Sequence, residues 1–154
     1  MIRYYLTRSA GDFALTFERK TAGASGFDLH ANEQSKMTIR PGCRELVRTG
    51  LHVQMPPGIE AQVRPRSGLA RDCGVVAVLG TIDSDYRGEI KVLLINFSTE
   101  VYTVHPGQRI AQLVFAPVMP MLARWRTDWD PVRADTAEEL GQTERGNSGF
   151  GSTG

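Results

Sequence analysis

Val75-Val76-Ala77-Val78-Leu79-Gly80-Thr81-Ile82-Asp83-Ser84-Asp85-Tyr86-Arg87-Gly88-Glu89-Ile90-Lys91-Val92-Leu93-Leu94-Ile95-Asn96-Phe97 consists of two β-type runs around a turn-forming centre. Val75 to Leu79 and Ile90 to Phe97 are dominated by β-branched and aliphatic residues, in lengths that suit strands. Between them, Gly80 to Gly88 has glycine at both ends and Asp-Ser-Asp at its tip, residue types that turn a chain. The stretch predicts an antiparallel hairpin whose small residues leave room for a flat ligand.

The same texture extends in both directions. Met37 to Ile39, Arg44 to Val53, Ile59 to Val63, Val101 to Val104 and Arg109 to Phe115 are short runs of β character. Pro41-Gly42, Pro56-Pro57-Gly58, Gly74 and Pro106-Gly107 punctuate them. Short strands so spaced predict an all-β barrel or sandwich of jelly-roll type. Helix is expected in two places only. Ser67 to Cys73 follows Pro65-Arg66, with Ser67 placed to cap the first turn. Asp135 to Leu140 has Thr136 and Glu139 at capping-box spacing, in a piece too short to stand without packing. At 154 residues the chain suits one domain with a real core. Trp125 and Trp129, between the last strand and the tail, are expected to serve subunit packing rather than a ligand.

Composition narrows the function classes. The formal net charge is +1, from 18 Lys plus Arg against 17 Asp plus Glu. That balance leaves no broad electrostatic footprint for nucleic acid or an anionic membrane. The basic residues are fifteen Arg and three Lys, a bias that suits phosphate forks but equally a GC-rich genome. No apolar run approaches the ~20 residues of a bilayer span, and the first residues lead into no signal-peptide core. A cytoplasmic protein is expected. Cys43 and Cys73 fall in no metal or redox pattern and are expected as reduced thiols. His30, His52 and His105 are scattered, without zinc-ligand spacing.

Chemistry-bearing residues gather in a few blocks. Pro65-Arg66-Ser67-Gly68-Leu69-Ala70 enters a helix N-terminus, where unpaired N–H groups favour an anion; it reads either as a phosphate cradle or as an ordinary capped turn. Gln112 interrupts the apolar run Ile110 to Val114, and its amide either faces solvent or needs a polar partner. Arg109 beside it suits a structural ion pair. The last ten residues, Arg145-Gly146-Asn147-Ser148-Gly149-Phe150-Gly151-Ser152-Thr153-Gly154, combine a guanidinium, two terminal hydroxyl residues, a flat aromatic face and glycines that let N–H groups converge. They form either a lid over an anion and a base or a plain Gly/Ser terminus.

With Ala24-Ser25-Gly26-Phe27-Asp28-Leu29-His30-Ala31, the Gly80 to Glu89 turn and Pro106-Gly107-Gln108-Arg109-Ile110-Ala111-Gln112-Leu113-Val114, these blocks resemble the dUTP pyrophosphatase (dUTPase) family. The resemblance runs from about Ala24 to Gly154. It implies a distorted jelly-roll or β-clip barrel, residues 1–141, with one short helix, and a Gly-rich lid, residues 142–154. It further implies a homotrimer sharing its active sites, dUTP as substrate, and Mg²⁺ as cofactor. The reaction would give dUMP and pyrophosphate, keeping uracil out of DNA and supplying a precursor of thymidylate.

By the same resemblance, Asp83 orients and deprotonates the attacking water. Asp28 holds Mg²⁺ through water. Arg66, Ser67 and Gly68 cradle phosphates, with Ser67 at the bridging oxygen, and Gln112 reaches the α-phosphate. Main chain near Ala77, Gly80, Thr81, Ile82 and Lys91 reads uracil, while Tyr86 lies under the deoxyribose and excludes a 2′-hydroxyl. Phe150 stacks on the base, and Arg145, Gly151, Ser152 and Thr153 close over the terminal phosphate. Two residues depart from the family pattern: Ser148 replaces a common tail glycine, and Gln108 replaces a frequent acidic residue, putting an ion pair there in doubt. A dCTP deaminase, a bifunctional deaminase-dUTPase and a nucleotide-gated interaction protein stay open beside the pyrophosphatase.

Overall fold

Strict alternation of side chains builds the centre of the molecule. Along Ile90–Asn96, residues Ile90, Val92, Leu94 and Asn96 are buried, while Lys91, Leu93 and Ile95 are only half-buried, which is the period-two signature of a strand with one face on a core. The computed structural model describes residues 1–11, 13–118, 132–143 and 146. In chain order its strands are β1 Arg3–Leu6, β2 Phe27–His30, β3 Met37–Ile39, β4 Arg44–Gln54 and β5 Ile59–Arg64; after helix α1, Ser67–Cys73, come β6 Val75–Ala77, β7 Gly80–Ile82, β8 Ile90–Asn96, β9 Tyr102–Val104, β10 Arg109–Pro117 and β11 Val132–Arg133. A 3-10 turn spans Glu138–Leu140.

These strands form a five-stranded sheet in the order β11-β1-β4-β8-β6, a four-stranded sheet in the order β2-β10-β5-β7, and a β3-β9 ribbon. The jelly-roll expectation is met as three sheets rather than one hydrogen-bonded ring. Val47, Leu51, Val92 and Leu94 of the larger sheet join Leu29, Ala61, Val63 and Leu113 of the smaller one in a single apolar cluster. Each fully buried side chain of this size contributes about 1.5–3 kcal/mol. Phe17, Phe27 and Phe115 extend the cluster, with Phe17 and Phe27 stacked at 4.7 Å between centroids.

Several local expectations are corrected. The run from Val75 stops being a strand of the larger sheet at Ala77, because Gly80–Ile82 crosses over to pair with β5. Ser67 does not cap α1: the cap position is Arg66, extended at φ −93 and ψ 126 with no side-chain cap bond, and Ser67 is already helical. Nor does a capping box form at Thr136 and Glu139. The cap of the 3-10 turn is Ala137, and the Glu139 carboxylate is engaged by Arg3 at 3.2 Å. Strands β1, β2, β7 and β11 are not evident as strands in the sequence. The Trp125 and Trp129 segment lies outside the described residues.

A bulge in β4 shapes the edge of the sheet beside the Gly80 to Glu89 turn. The register on β8 shifts between Arg48 and Leu51, and Gly50 sits there at φ +69. A Cβ on Gly50 would come within 2.5 Å of Asn32 Nδ2 and Thr7 Oγ1, so both its conformation and its surroundings demand glycine.

Candidate active site

The predicted hairpin forms and then parts. β6 pairs with β8 from Val75 opposite Asn96 to Ala77 opposite Leu94, and the Val78 N–H still donates to the Leu93 carbonyl at 2.8 Å. Beyond that point the chain leaves β8, and Gly80 pairs instead with Val63 on β5. A cleft of about 290 Å³ opens in the gap, with Val63, Leu79, Gly80, Asp83, Tyr86 and Lys91 in its wall. The volume is at the lower end for small-molecule sites. Strands that separate here expose main-chain donors and acceptors to a bound molecule.

Most of the predicted base-binding residues meet in this gap. Gly80, Thr81, Ile82, Asp83, Tyr86 and Lys91 all line the cleft. Ala77 does not: it is 2% exposed in the core, at the last regular pair before the strands separate. Asp83 is exposed at the rim, and its carbonyl accepts the Tyr86 N–H at 3.1 Å, closing the turn. Tyr86 is buried at 8% exposure, with its hydroxyl donating to the Glu89 carbonyl at 3.0 Å. Burial, reinforced by the Glu89 charge, raises its phenol pKa, so the ring presents a neutral face. Gly88 makes room for it, since a Cβ there would lie 2.3 Å from the Tyr86 hydroxyl oxygen.

The cradle lies at the end of β5. Gln112 on β10 stands opposite Asp28 on β2 and Arg64 on β5, which puts two of the motif blocks and the residue before a third in one row across the sheet. Gln112 is not a solvent-face residue: its Nε2 donates to the Pro65 carbonyl at 3.0 Å. Arg66 donates through Nη1 to the Arg109 carbonyl at 3.0 Å. Its Nε lies 3.6 Å from Asp28 Oδ1, and Arg109 Nη1 lies 3.2 Å from Asp28 Oδ2. Asp28 is thus flanked by two guanidiniums, and the expected structural ion pair of Arg109 is present. Gln108 is occupied elsewhere, with Oε1 accepting the His105 N–H at 2.9 Å and Nε2 donating to the Tyr102 hydroxyl. Ser67 and Gly68 are exposed, and a Cβ on Gly68 would meet nothing nearer than Asp72 at 3.9 Å. The described residues therefore leave open space beside the Gly68 Cα.

Beside these elements, His30 is half-buried, and its Nδ1 has no hydrogen-bond partner among the described residues. Burial pushes its imidazole pKa down against the pull of Asp28. Among the described residues no three His, Cys, Asp or Glu side chains are grouped to hold a metal. Cys43 and Cys73 are free thiols. No described helix is long and apolar enough to cross a membrane.

Two residues that sequence reasoning passed over organise the turn. Arg87 bonds three carbonyls, Leu140 at 3.0 Å, Ser84 at 2.7 Å and Tyr86 at 2.9 Å. Glu89 reaches across to the β4 bulge. Both lie inside the Gly80 to Glu89 block, but the Leu140 carbonyl that Arg87 reaches and the β4 groups that Glu89 reaches are far away in sequence and leave no local signal. Arg145, Phe150, Gly151, Ser152 and Thr153 lie outside the described residues. The root of their segment does not: Gly146 accepts from the Arg87 N–H at 2.9 Å.

The chain is similar to known proteins of one family. The dUTPase family model matches residues 14–154. Deoxyuridine 5'-triphosphate nucleotidohydrolase of Neorickettsia sennetsu is 48% identical over 134 residues, covering 86% of this chain and 83% of that protein. The enzyme of the same name from Anaplasma marginale is 43% identical over 157 residues, covering 100% and 99%. Among solved structures, a mutant dUTPase from phage phi11 of S. aureus, described with a structural Mg(II) ion, has a TM-score of 0.67 at 19% identity, over 84% of this chain and 98% of that one.

Proposed function

The chain belongs to the dUTPase family, and we propose that it hydrolyses dUTP to dUMP and pyrophosphate with the base held in the cleft between Gly80 and Lys91. The observation that carries this reading is the parting of β6 from β8 beside Asp83: a pocket opened between the two strands, with a buried phenol on one side and an exposed carboxylate at its rim.

Uracil is read by main-chain N–H and C=O groups around Gly80, Thr81, Ile82 and Lys91. A narrow apolar wall excludes the 5-methyl of thymine, and amide polarity rejects the 4-amino group of cytosine. Ala77 acts from behind, as the pair that ends the ladder. Tyr86 packs under the deoxyribose and bars a 2′-hydroxyl.

Hydrolysis at the α-phosphorus requires an oriented water, a base and neutralised phosphate charge. Asp83 takes the proton of that water, as an exposed carboxylate in the cleft wall. Arg66, Ser67 and Gly68 hold the phosphates, and Gln112 braces the cradle through the Pro65 carbonyl while reaching the α-phosphate. Arg145, Gly151, Ser152, Thr153 and Phe150 close over the nucleotide as the lid.

The described residues contain no carboxylate cluster, so no dedicated cation cage exists among them. Asp28, whose oxygens face Arg66 and Arg109 and keep further lone pairs, would hold a hydrated Mg²⁺ through water rather than directly. When bound, the ion neutralises phosphate charge.

A homotrimer is supported by the outer face of the larger sheet. Leu46, Leu93, Ile95 and Val76 align across β4, β8 and β6, beside Val78 and the 71% exposed Leu79. An apolar outer face of that kind suits a partner subunit.

The test is turnover of dUTP, dTTP, dCTP and UTP with and without Mg²⁺, read as released pyrophosphate. Selective, metal-dependent hydrolysis of dUTP is expected, and comparable turnover of dTTP would overturn the cleft assignment.

A further inference from the structure

Tyr86 does not hold its place through its own packing alone. Its hydroxyl is held by the main-chain carbonyl of Glu89 at 3.0 Å, so the position of Glu89 bears directly on that of the phenol. Glu89 in turn is tied to a different strand. Its Oε1 accepts the N–H of Gly50 at 2.9 Å and its Oε2 lies 3.3 Å from Arg48 Nε. A second strap runs alongside, from the Thr49 hydroxyl to the Ile90 carbonyl. The β4 bulge turns the Gly50 N–H toward the hairpin, and Gly50 is the residue type that this turn and its crowding require.

We propose that Glu89 is a positioning residue for sugar selection: its carboxylate anchors the hairpin to the β4 bulge, and its carbonyl, fixed by that anchor, holds the Tyr86 phenol where it bars a 2′-hydroxyl. The inference rests on the reading of the cleft as the dUTP site. The two bonds of the carboxylate are unequal. Arg48 is 54% exposed, and an ion pair open to water contributes little. The Gly50 N–H lies in part-buried surroundings, and stripping a buried donor of its acceptor is the costlier loss. The working group is therefore an acceptor oxygen at this position, not a negative charge. Exclusion of a hydroxyl is a matter of tenths of an ångström at a packed wall, so slack in the anchor should appear as lost selectivity before it appears as lost fold.

The experiment compares wild type with Glu89→Ala, Glu89→Gln and Arg48→Ala, using the full chain with Mg²⁺. kcat and KM are measured for dUTP and UTP, and the Tyr86 ring signals are followed in ¹³C-tyrosine-labelled protein, assigned with Tyr86→Phe. Glu89→Ala should raise the UTP-to-dUTP ratio of kcat/KM at least fivefold and move the Tyr86 ring signals. Glu89→Gln, which keeps the acceptor, and Arg48→Ala should stay within twofold with wild-type ring signals. Wild-type selectivity and ring signals in a folded Glu89→Ala protein would overturn the proposal, as would a Gln variant no better than Ala. Should the wild type fail to hydrolyse dUTP, the functional reading falls by itself. The ring signals then decide the anchor, since Glu89→Gln removes the same charge as Glu89→Ala but not the hydrogen bond.

Discussion

The backbone N–H of Arg87 donates to the carbonyl of Gly146 at 2.9 Å, so the turn after Asp83 and the root of the C-terminal segment are hydrogen-bonded to each other. The Arg87 guanidinium adds the Leu140 carbonyl on the same side and the Ser84 and Tyr86 carbonyls on the other. Thr143 completes the joint: its hydroxyl donates to the Asp85 carbonyl and accepts the Gly146 N–H at 3.0 Å. Burial lowers the Arg87 pKa while Asp85 opposes the shift. One planar fork thus ties the Asp83 to Tyr86 turn to Leu140, and the Arg87 backbone N–H and Thr143 seat Gly146 beside it.

Arg87→Ala should destabilise the protein by about 1–3 kcal/mol, the cost of leaving part-buried acceptors without a donor. It should also lower kcat for dUTP. Chemical denaturation and steady-state kinetics check the two effects, and Arg87→Lys should restore only part, because an ammonium cannot reproduce the fork.

Asp83→Asn should keep nucleotide affinity and lower kcat by roughly 10² to 10⁴, the range for losing a positioned base. Calorimetric titration with a non-hydrolysable dUTP analogue, alongside kcat, measures both. An Asn variant with wild-type turnover would remove Asp83 from the mechanism.

Tyr86 has a phenol pKa raised by burial and by Glu89. A group whose acid form is favoured in the folded state adds stability that is complete below the unfolded pKa, about 10. That stability is lost as pH rises through the higher folded value. Alkaline denaturation should therefore begin above about pH 10 with Tyr86 as one contributor, and Tyr86→Phe should reduce the late part of the phenolate absorbance titration.

Truncation after Gly146 should leave a folded protein that binds nucleotide through the cleft and cradle but turns over slowly, because closure supplies desolvation and orientation. Phe150→Ala should cost about 1 to 3 kcal/mol, the size of one base-aromatic stack. Full activity of the truncated chain would end the lid reading.

Light scattering should give the mass of three chains. Mixing Asp83→Asn chains with tail-truncated chains should restore some activity if sites are shared between subunits. A monomer, or no complementation, would overturn the shared-site arrangement.

Much of the fold is legible in the sequence because its longer strands advertise themselves locally. Ile90 to Asn96 alternates in burial as its residue types demand, and α1 follows Pro65-Arg66 within the expected bounds. Strands with little local signal escape such a reading: Arg3–Leu6 and Phe27–His30 are short and carry polar residues, and Val132–Arg133 exists as a strand only through its parallel pairing with Arg3 and Tyr4.

Candidate site residues are legible by type and order. Asp83, Tyr86, Arg66 and Gln112 stand in blocks that resemble a known family, and that resemblance rests on linear spacing alone. What tertiary structure decided is which groups those residues face. Residue order cannot say that Gln112 braces Pro65, that Asp28 lies between Arg66 and Arg109, or that Glu89 answers the Gly50 N–H. Those pairings depend on strand register and on a local bulge, and both are set by how the two sheets bury their apolar faces against each other. The chemistry is written residue by residue, whereas its alignment belongs to the packed core.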